Sequence, residues 1–183
     1  MDYKQSDYND AYWEGRDKIE PKHYVICSDI YKSFIPKTLL DFGCGAGQLV
    51  KIFNDMEVNA FGYEPSKIAN TYKRSGKIDS QYAFLDYDLI TCMDVAEHIP
   101  VVDVDEFLSE IKKASVREEF VVVFSICFRG DPNFKHDSTH ITERTREWWE
   151  YKLRSNGYDI LKTPTFWAFN NQMMVTRIKK EVG

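Results

Sequence analysis

The sequence predicts an α/β sandwich built on a mostly parallel sheet. Short apolar runs suited to strands alternate with stretches whose apolar residues recur at helical spacing, the pattern of βαβ units. One run, Phe120–Ser125, is apolar almost throughout, as a central strand covered on both faces must be. The chain has 183 residues and is 43% hydrophobic, enough for a single domain with a sizeable core and too much for a disordered chain.

The first element is an arm. Residues 1–18 are polar but carry Tyr3, Tyr8, Tyr12 and Trp13. Disordered segments rarely hold so many rings, so residues 1–36 read as an arm and helix, the arm acting as a lid over a pocket. The alternative is a frayed terminus anchored by one or two rings. Pro21 opens a helix in which Val25, Ile26, Ile30 and Phe34 repeat at helical spacing, and Pro36 ends it. Strands are expected at Thr38–Phe42, Asn59–Tyr63, Gln81–Leu85, Leu89–Met93 and Phe120–Ser125. Helices are expected at about Gly47–Asn54, Ser66–Arg74 with Gly76 as its C-cap, Val104–Ala114 and Thr142–Ser155. Tyr158–Ala168 and Gln172–Lys180 read as a closing hairpin around Asn170 and Asn171, which makes one sheet edge antiparallel. Helices should cover both faces.

The chemistry concentrates where the first strand ends. Leu39-Leu40-Asp41-Phe42-Gly43-Cys44-Gly45-Ala46-Gly47-Gln48 is an apolar strand, an acid, and a loop with three glycines at alternate positions. Glycines there bare the backbone near the positive end of a helix, which suits a nucleoside-bearing cofactor. The dinucleotide fingerprint G-x-G-x-x-G is not met, because Gln48 holds its third glycine position, which disfavours a nicotinamide oxidoreductase. Asn59–Tyr63 is a second short strand, ending at Glu64-Pro65-Ser66. An acid at that place can accept both hydroxyls of a ribose, Pro65 cannot continue the ladder, and Ser66 can cap the next helix.

The run D-x-G-x-G-x-G resembles motif I of the class I S-adenosylmethionine-dependent methyltransferases. Glu64 matches the ribose acid of that family, and Leu89-Ile90-Thr91-Cys92-Met93-Asp94-Val95-Ala96-Glu97-His98-Ile99 resembles its fourth strand and post-strand loop. The resemblance covers residues 38–160 and implies a Rossmann-like three-layer sandwich with seven strands in the order 3-2-1-4-5-7-6. It implies S-adenosylmethionine as cofactor, held by Asp41, Gly43, Cys44, Gly45, Gly47, Glu64, Pro65, Met93 and Asp94. The family sets an acid after strand three beside the adenine, and Asp86 is the residue this chain offers. Asp88 matches a structural position that leads into strand four.

Two histidines are candidate bases. His98 lies in the D-x-x-E-H stretch. In some O-methyltransferases that this stretch resembles, these acids and the histidine lie near the acceptor and a divalent ion has been implicated. Two carboxylates and one imidazole would suit a hard cation, but packing of His98 on the following helix is the alternative, and no metal site is assigned. His140 lies in Asp137-Ser138-Thr139-His140, which resembles a D-x-T-H segment of the family, on a loop at the carboxyl end of strand five. Its imidazole could take a hydroxyl proton or could fix the loop by hydrogen bonds. His136 and His23 read as surface residues. Of Trp148 and Trp149, one should pack on the sheet and the other face a pocket or partner.

Cys27, Cys44, Cys92 and Cys127 form no C-x-x-C pair, so reduced, buried thiols are expected rather than a zinc site. A net charge of −5 and the lack of a basic stripe argue against nucleic acid as partner. No run of 18 apolar residues and no leader pattern occur, so no membrane span and a cytoplasmic location are expected. The reading is therefore a methyltransferase for a small-molecule acceptor, at an oxygen. The alternatives are a nucleic-acid or protein methyltransferase, or a methyltransferase-like subunit that binds without turnover.

Overall fold

The computed structural model describes residues 10–66, 69–75, 77–132, 134 and 137–180. Tyr3 and Tyr8 of the expected arm, the Gly76 cap and His136 lie outside them. The elements are α1 (Asp10–Trp13), α2 (Pro21–Phe34), β1 (Thr38–Phe42), α3 (Gln48–Asp55), β2 (Asn59–Tyr63), β3 (Ile78–Asp79), β4 (Leu89–Met93), α4 (Val104–Ala114), β5 (Glu119–Ser125), α5 (Arg146–Ser155), β6 (Tyr158–Leu161) and β7 (Met173–Lys179). They build one seven-stranded sheet in the order β3-β2-β1-β4-β5-β7-β6. β3, β2, β1, β4 and β5 run parallel, and β7 joins β5 and β6 antiparallel.

Alternation along the strands divides the core. Successive residues point to opposite faces, so Leu39 faces Cys27, Ile30, Val50 and Phe53 of α2 and α3. Leu40 faces Phe107, Leu108 and Ile111 of α4 and Trp149 and Leu153 of α5. Trp149 is the ring that packs on the sheet, whereas Trp148 is half-buried beneath the cations of Arg144 and Lys152. All four cysteines are buried and free. Among the described residues no helix is long and apolar enough to cross a membrane.

Four elements differ from expectation. The third strand is Ile78–Asp79, not Gln81–Leu85. The Gly62 amide donates to Lys77 O and the Glu64 amide to Asp79 O, so the earlier residues take the edge of β2. The Tyr82 ring packs instead on Phe42 and Tyr63 at 5.5 and 5.1 Å, and its hydroxyl donates to Glu110. Within the expected helix after β2, the described residues form only a 3₁₀ turn at Ala69–Tyr72, where the Ala69 amide donates to Ser66 Oγ. α5 starts at Arg146 rather than Thr142. Thr142 is buried and its hydroxyl donates to Ile99 O, so it serves the loop after β4, and Thr145 caps the helix by accepting from the Trp148 amide. The hairpin's first strand stops at Leu161 because Trp167 leaves the sheet and donates its indole N–H to Ser33 Oγ on α2.

The chain runs outward from β1 to β3, then returns to β4. β1 and β4 are therefore neighbours whose connections leave in opposite directions. Their carboxyl ends form the topological switch point of the sheet, where open α/β sheets bind ligands in a crevice.

Candidate active site

The loop after β1 is shaped by where it cannot carry side chains. Gly43 has φ +81°, and a Cβ there would lie 2.6 Å from Val95 Cγ2. Gly47 also has φ +81° and stands as N-cap of α3 with no side-chain cap, which leaves the first-turn amides of α3 at the crevice. The Gly43 and Cys44 amides both donate to Tyr63 O, at 2.8 and 3.0 Å, and so stitch the loop to the end of β2.

Glu64 closes this half of the site. It is 8% exposed; its Oε2 accepts from the Gly45 amide at 2.9 Å and its Oε1 from the Ser66 amide at 2.8 Å. Burial raises its carboxyl above the usual range, and the two amides oppose that rise. Pro65 makes the turn between them. Asp41 lies beneath the loop, 3% exposed, and accepts from the Thr91 hydroxyl at 2.7 Å. Burial pushes it up to about 7; the Thr91 hydrogen bond lowers it and the charge of Glu64 raises it. Met93 ends β4. The Asp94 amide donates to Ser125 O, and Asp94 Oδ1 accepts from the Ser125 hydroxyl at 2.5 Å.

The carboxyl ends of β1, β2 and β4 thus bring together Asp41, Gly43, Cys44, Gly45, Gly47, Glu64, Pro65, Met93 and Asp94. Asp86 does not join them, which corrects its expected place beside an adenine. Its carbonyl accepts from the Thr38 hydroxyl and its carboxylate lies 3.4 Å from Arg117, at the amino ends of β1 and β4. Asp88 is structural, as expected, accepting from the Lys37 and Thr38 amides. The acid at the carboxyl end of β3 is Asp79, paired with Tyr63. A two-residue strand leaves almost no periodic signal by which Asp79 could have been found.

The described part of the arm packs on the glycine loop. The Trp13 ring lies against Gly45, is 8% exposed, and its indole N–H has no partner among the described residues. Gln48 donates to Arg16 O, Arg16 reaches Asp137 at 3.0 Å, and Arg74 pairs with Asp17. Asp137 is held down at about 2: burial opposes this, but hydrogen bonds from the Thr139 hydroxyl and amide and the charge of Arg16 outweigh it. Composition marked Trp13 as a lid residue; nothing local marked Arg16.

Facing this region, the loops after β4 and β5 meet. The Ile141 and Thr142 amides donate to Glu97 O, so the second loop hangs on the first. Glu97 is fully buried: Oε1 accepts from the Cys127 amide at 3.0 Å and Oε2 has no partner among the described residues. Burial, and then the charge of Asp94, push its carboxyl well up. His98 Nδ1 meets Thr139 O at 3.1 Å and Thr139 Oγ1 at 3.0 Å. Burial and the neighbouring His140 hold His98 down at about 4, so it is neutral near pH 7. The His98 and His140 rings are edge to face, 4.7 Å apart, and His140 Nδ1 is buried with no partner among the described residues. Glu97 was legible only as part of D-x-x-E-H; one of its ligand atoms lies within 4.8 Å of one from His140, which brings two distant loops together.

Known proteins carry the same architecture. A family described as "Methyltransferase domain" matches residues 18–164. The 1,6-didemethyltoxoflavin-N1-methyltransferase of Burkholderia thailandensis, solved with 1,6-didemethyltoxoflavin and S-adenosylhomocysteine, superposes with a TM-score of 0.68 at 16% identity, over 97% of this chain and 88% of that one. A SAM-dependent methyltransferase from Archaeoglobus fulgidus gives 0.65 at 14% identity, over 93% and 100% of the two chains. Human N-acetylserotonin methyltransferase, in complex with SAM, gives 0.62 at 16% identity over 88% of this chain and 52% of that one. No curated protein matches the chain by sequence.

Proposed function

The chain belongs to this methyltransferase-domain family, and on that premise we propose that it methylates an oxygen of a small-molecule acceptor, with S-adenosylmethionine as donor. When bound, that cofactor supplies a methyl group already activated on a sulfonium, so the protein's task is alignment, worth several kcal/mol.

The crevice fits such a group. The glycine loop is bare where a Cβ would collide, and α3 offers uncapped amides. Each Glu64 oxygen holds one amide. A carboxylate has about four lone-pair sites, so Glu64 can keep both amides and still accept two ribose hydroxyls. Trp13 offers a donor over Gly45 that is unmatched among the described residues and, with Arg16, shields the crevice from water.

One observation carries the acceptor reading: His140 Nδ1 is buried without a partner among the described residues, on the loop after β5. That nitrogen takes the proton of an acceptor hydroxyl. Neutral His98 orients His140 through their edge-to-face contact and is itself fixed by Thr139.

The test is transfer of labelled methyl from S-adenosylmethionine into a cell extract split by size. Label in the low-mass fraction, in a product resistant to mild base as an ether is, supports the reading. Label confined to protein or nucleic acid, or none at all, removes it.

A further inference from the structure

We propose that the indole N–H of Trp13 donates to the carboxylate at the amino-acid end of the cofactor, which makes the arm part of the cofactor site. The inference rests on the methyltransferase reading above. Trp13 is 8% exposed, and its Nε1 has no partner among the described residues. Buried polar atoms are nearly always satisfied, so this donor marks a place where an acceptor belongs.

Contacts fix that place. A Cβ on Gly45 would lie 3.1 Å from Trp13 Cζ3, so the ring lies on bare backbone, at the residue whose amide donates to Glu64. Tyr12 stands edge to face with Trp13 at 5.2 Å, and its side chain hydrogen-bonds with that of Thr139. The Arg16 guanidinium lies 4.0 Å from the centre of the Tyr12 ring and pairs with Asp137. The arm therefore bridges the glycine loop and the loop that carries His140, with Trp13 at the glycine-loop end.

Chemistry narrows the acceptor. With the ribose on Glu64 and the methyl group directed to His140, the amino-acid end of the ligand belongs between those two loops. It carries an ammonium, which only donates, and a carboxylate, which accepts. Around the loop, the cations of Arg16, Lys73 and Arg74 are engaged by Asp137, the Ile78 carbonyl and Asp17. On the loop itself, the Trp13 N–H is the buried side-chain donor still without an acceptor among the described residues. A hydrogen bond from it to a carboxylate is charge-assisted, and so stronger than one to a neutral oxygen.

The experiment is calorimetry on the full chain with two ligands. S-adenosylhomocysteine carries the amino-acid end; methylthioadenosine has the same nucleoside and sulfur without it. Trp13→Phe keeps a ring on Gly45 and removes the N–H. Its affinity for S-adenosylhomocysteine should fall about tenfold to 100-fold, and its affinity for methylthioadenosine should stay that of the wild type. Should Trp13→Phe not fold by circular dichroism, Trp13→Leu, which also lacks the N–H, takes its place. An equal loss for both ligands would assign Trp13 to packing and overturn the contact. Unweakened S-adenosylhomocysteine binding in the variant would overturn it too, and would leave the methyltransferase reading standing. A wild type that binds neither ligand removes that reading and the contact together.

Discussion

The two halves of the crevice treat their buried acids in opposite ways. At the carboxyl ends of β1 and β2, both oxygens of Glu64 are held by main-chain amides and Asp41 has its Thr91 hydroxyl. Across the crevice, Glu97 Oε2 and His140 Nδ1 have no partner among the described residues. The first half is organised by the chain itself and needs no ligand to hold its shape. The second keeps unsatisfied polar atoms, which cost free energy unless something binds there. A cofactor half that every turnover reuses can be finished in advance. An acceptor half must be completed by the molecule it acts on.

This division is most exposed at His140. His140→Ala should slow labelled-methyl transfer by about 100-fold to 10,000-fold and leave S-adenosylhomocysteine affinity unchanged by calorimetry. A loss of cofactor affinity there would mean that the halves are one site. The mirror experiment is Glu64→Ala, which removes the loop clamp and the ribose acceptor together. Affinity for S-adenosylhomocysteine should weaken about 100-fold, the effect of one or two charge-assisted hydrogen bonds. Retained affinity would show that the loop does not need Glu64.

Asp41 probes whether the first half is built at some cost. Its folded pKa, about 7, lies above its ordinary value of 3.8. Such an acid favours folding while protonated, and that contribution fades as pH rises from about 4 through about 7. Asp41→Asn stays neutral, so its thermal midpoint should gain on the wild type by roughly 5 °C between pH 5 and pH 8, on the order of 2 kcal/mol. A constant gap across that range would rule out the raised carboxyl. The smallest effect belongs to the arm. Arg16 is half exposed in its pair with Asp137, and exposed pairs contribute little. Arg16→Ala should weaken S-adenosylhomocysteine binding about threefold and speed proteolysis near residue 16.

Legibility in the residue pattern divides along the same line. β1, β2 and β4 stand where their apolar runs placed them, each bounded by a proline, a glycine or an acid that stops it. The glycine loop and Glu64 belong to contiguous motifs, so a local reading finds them together. β3 failed because two residues have no period, and the aromatic run beside it, Tyr82 to Leu85, offers a better strand on paper than the one that forms. Asp86 failed with it, since its place depended on that strand. Glu97 and His140 come close because Thr139, Ile141 and Thr142 tie their loop back to residues 97–99, long-range contacts that no spacing encodes.

Amide hydrogen exchange with and without S-adenosylhomocysteine separates the finished half from the open one in a single experiment. Exchange should slow at residues 43–50 and 64–66, with residues 97–98 and 139–142 unchanged. Protection centred on the histidine loops, or none at either edge, would contradict the assignment of the two halves.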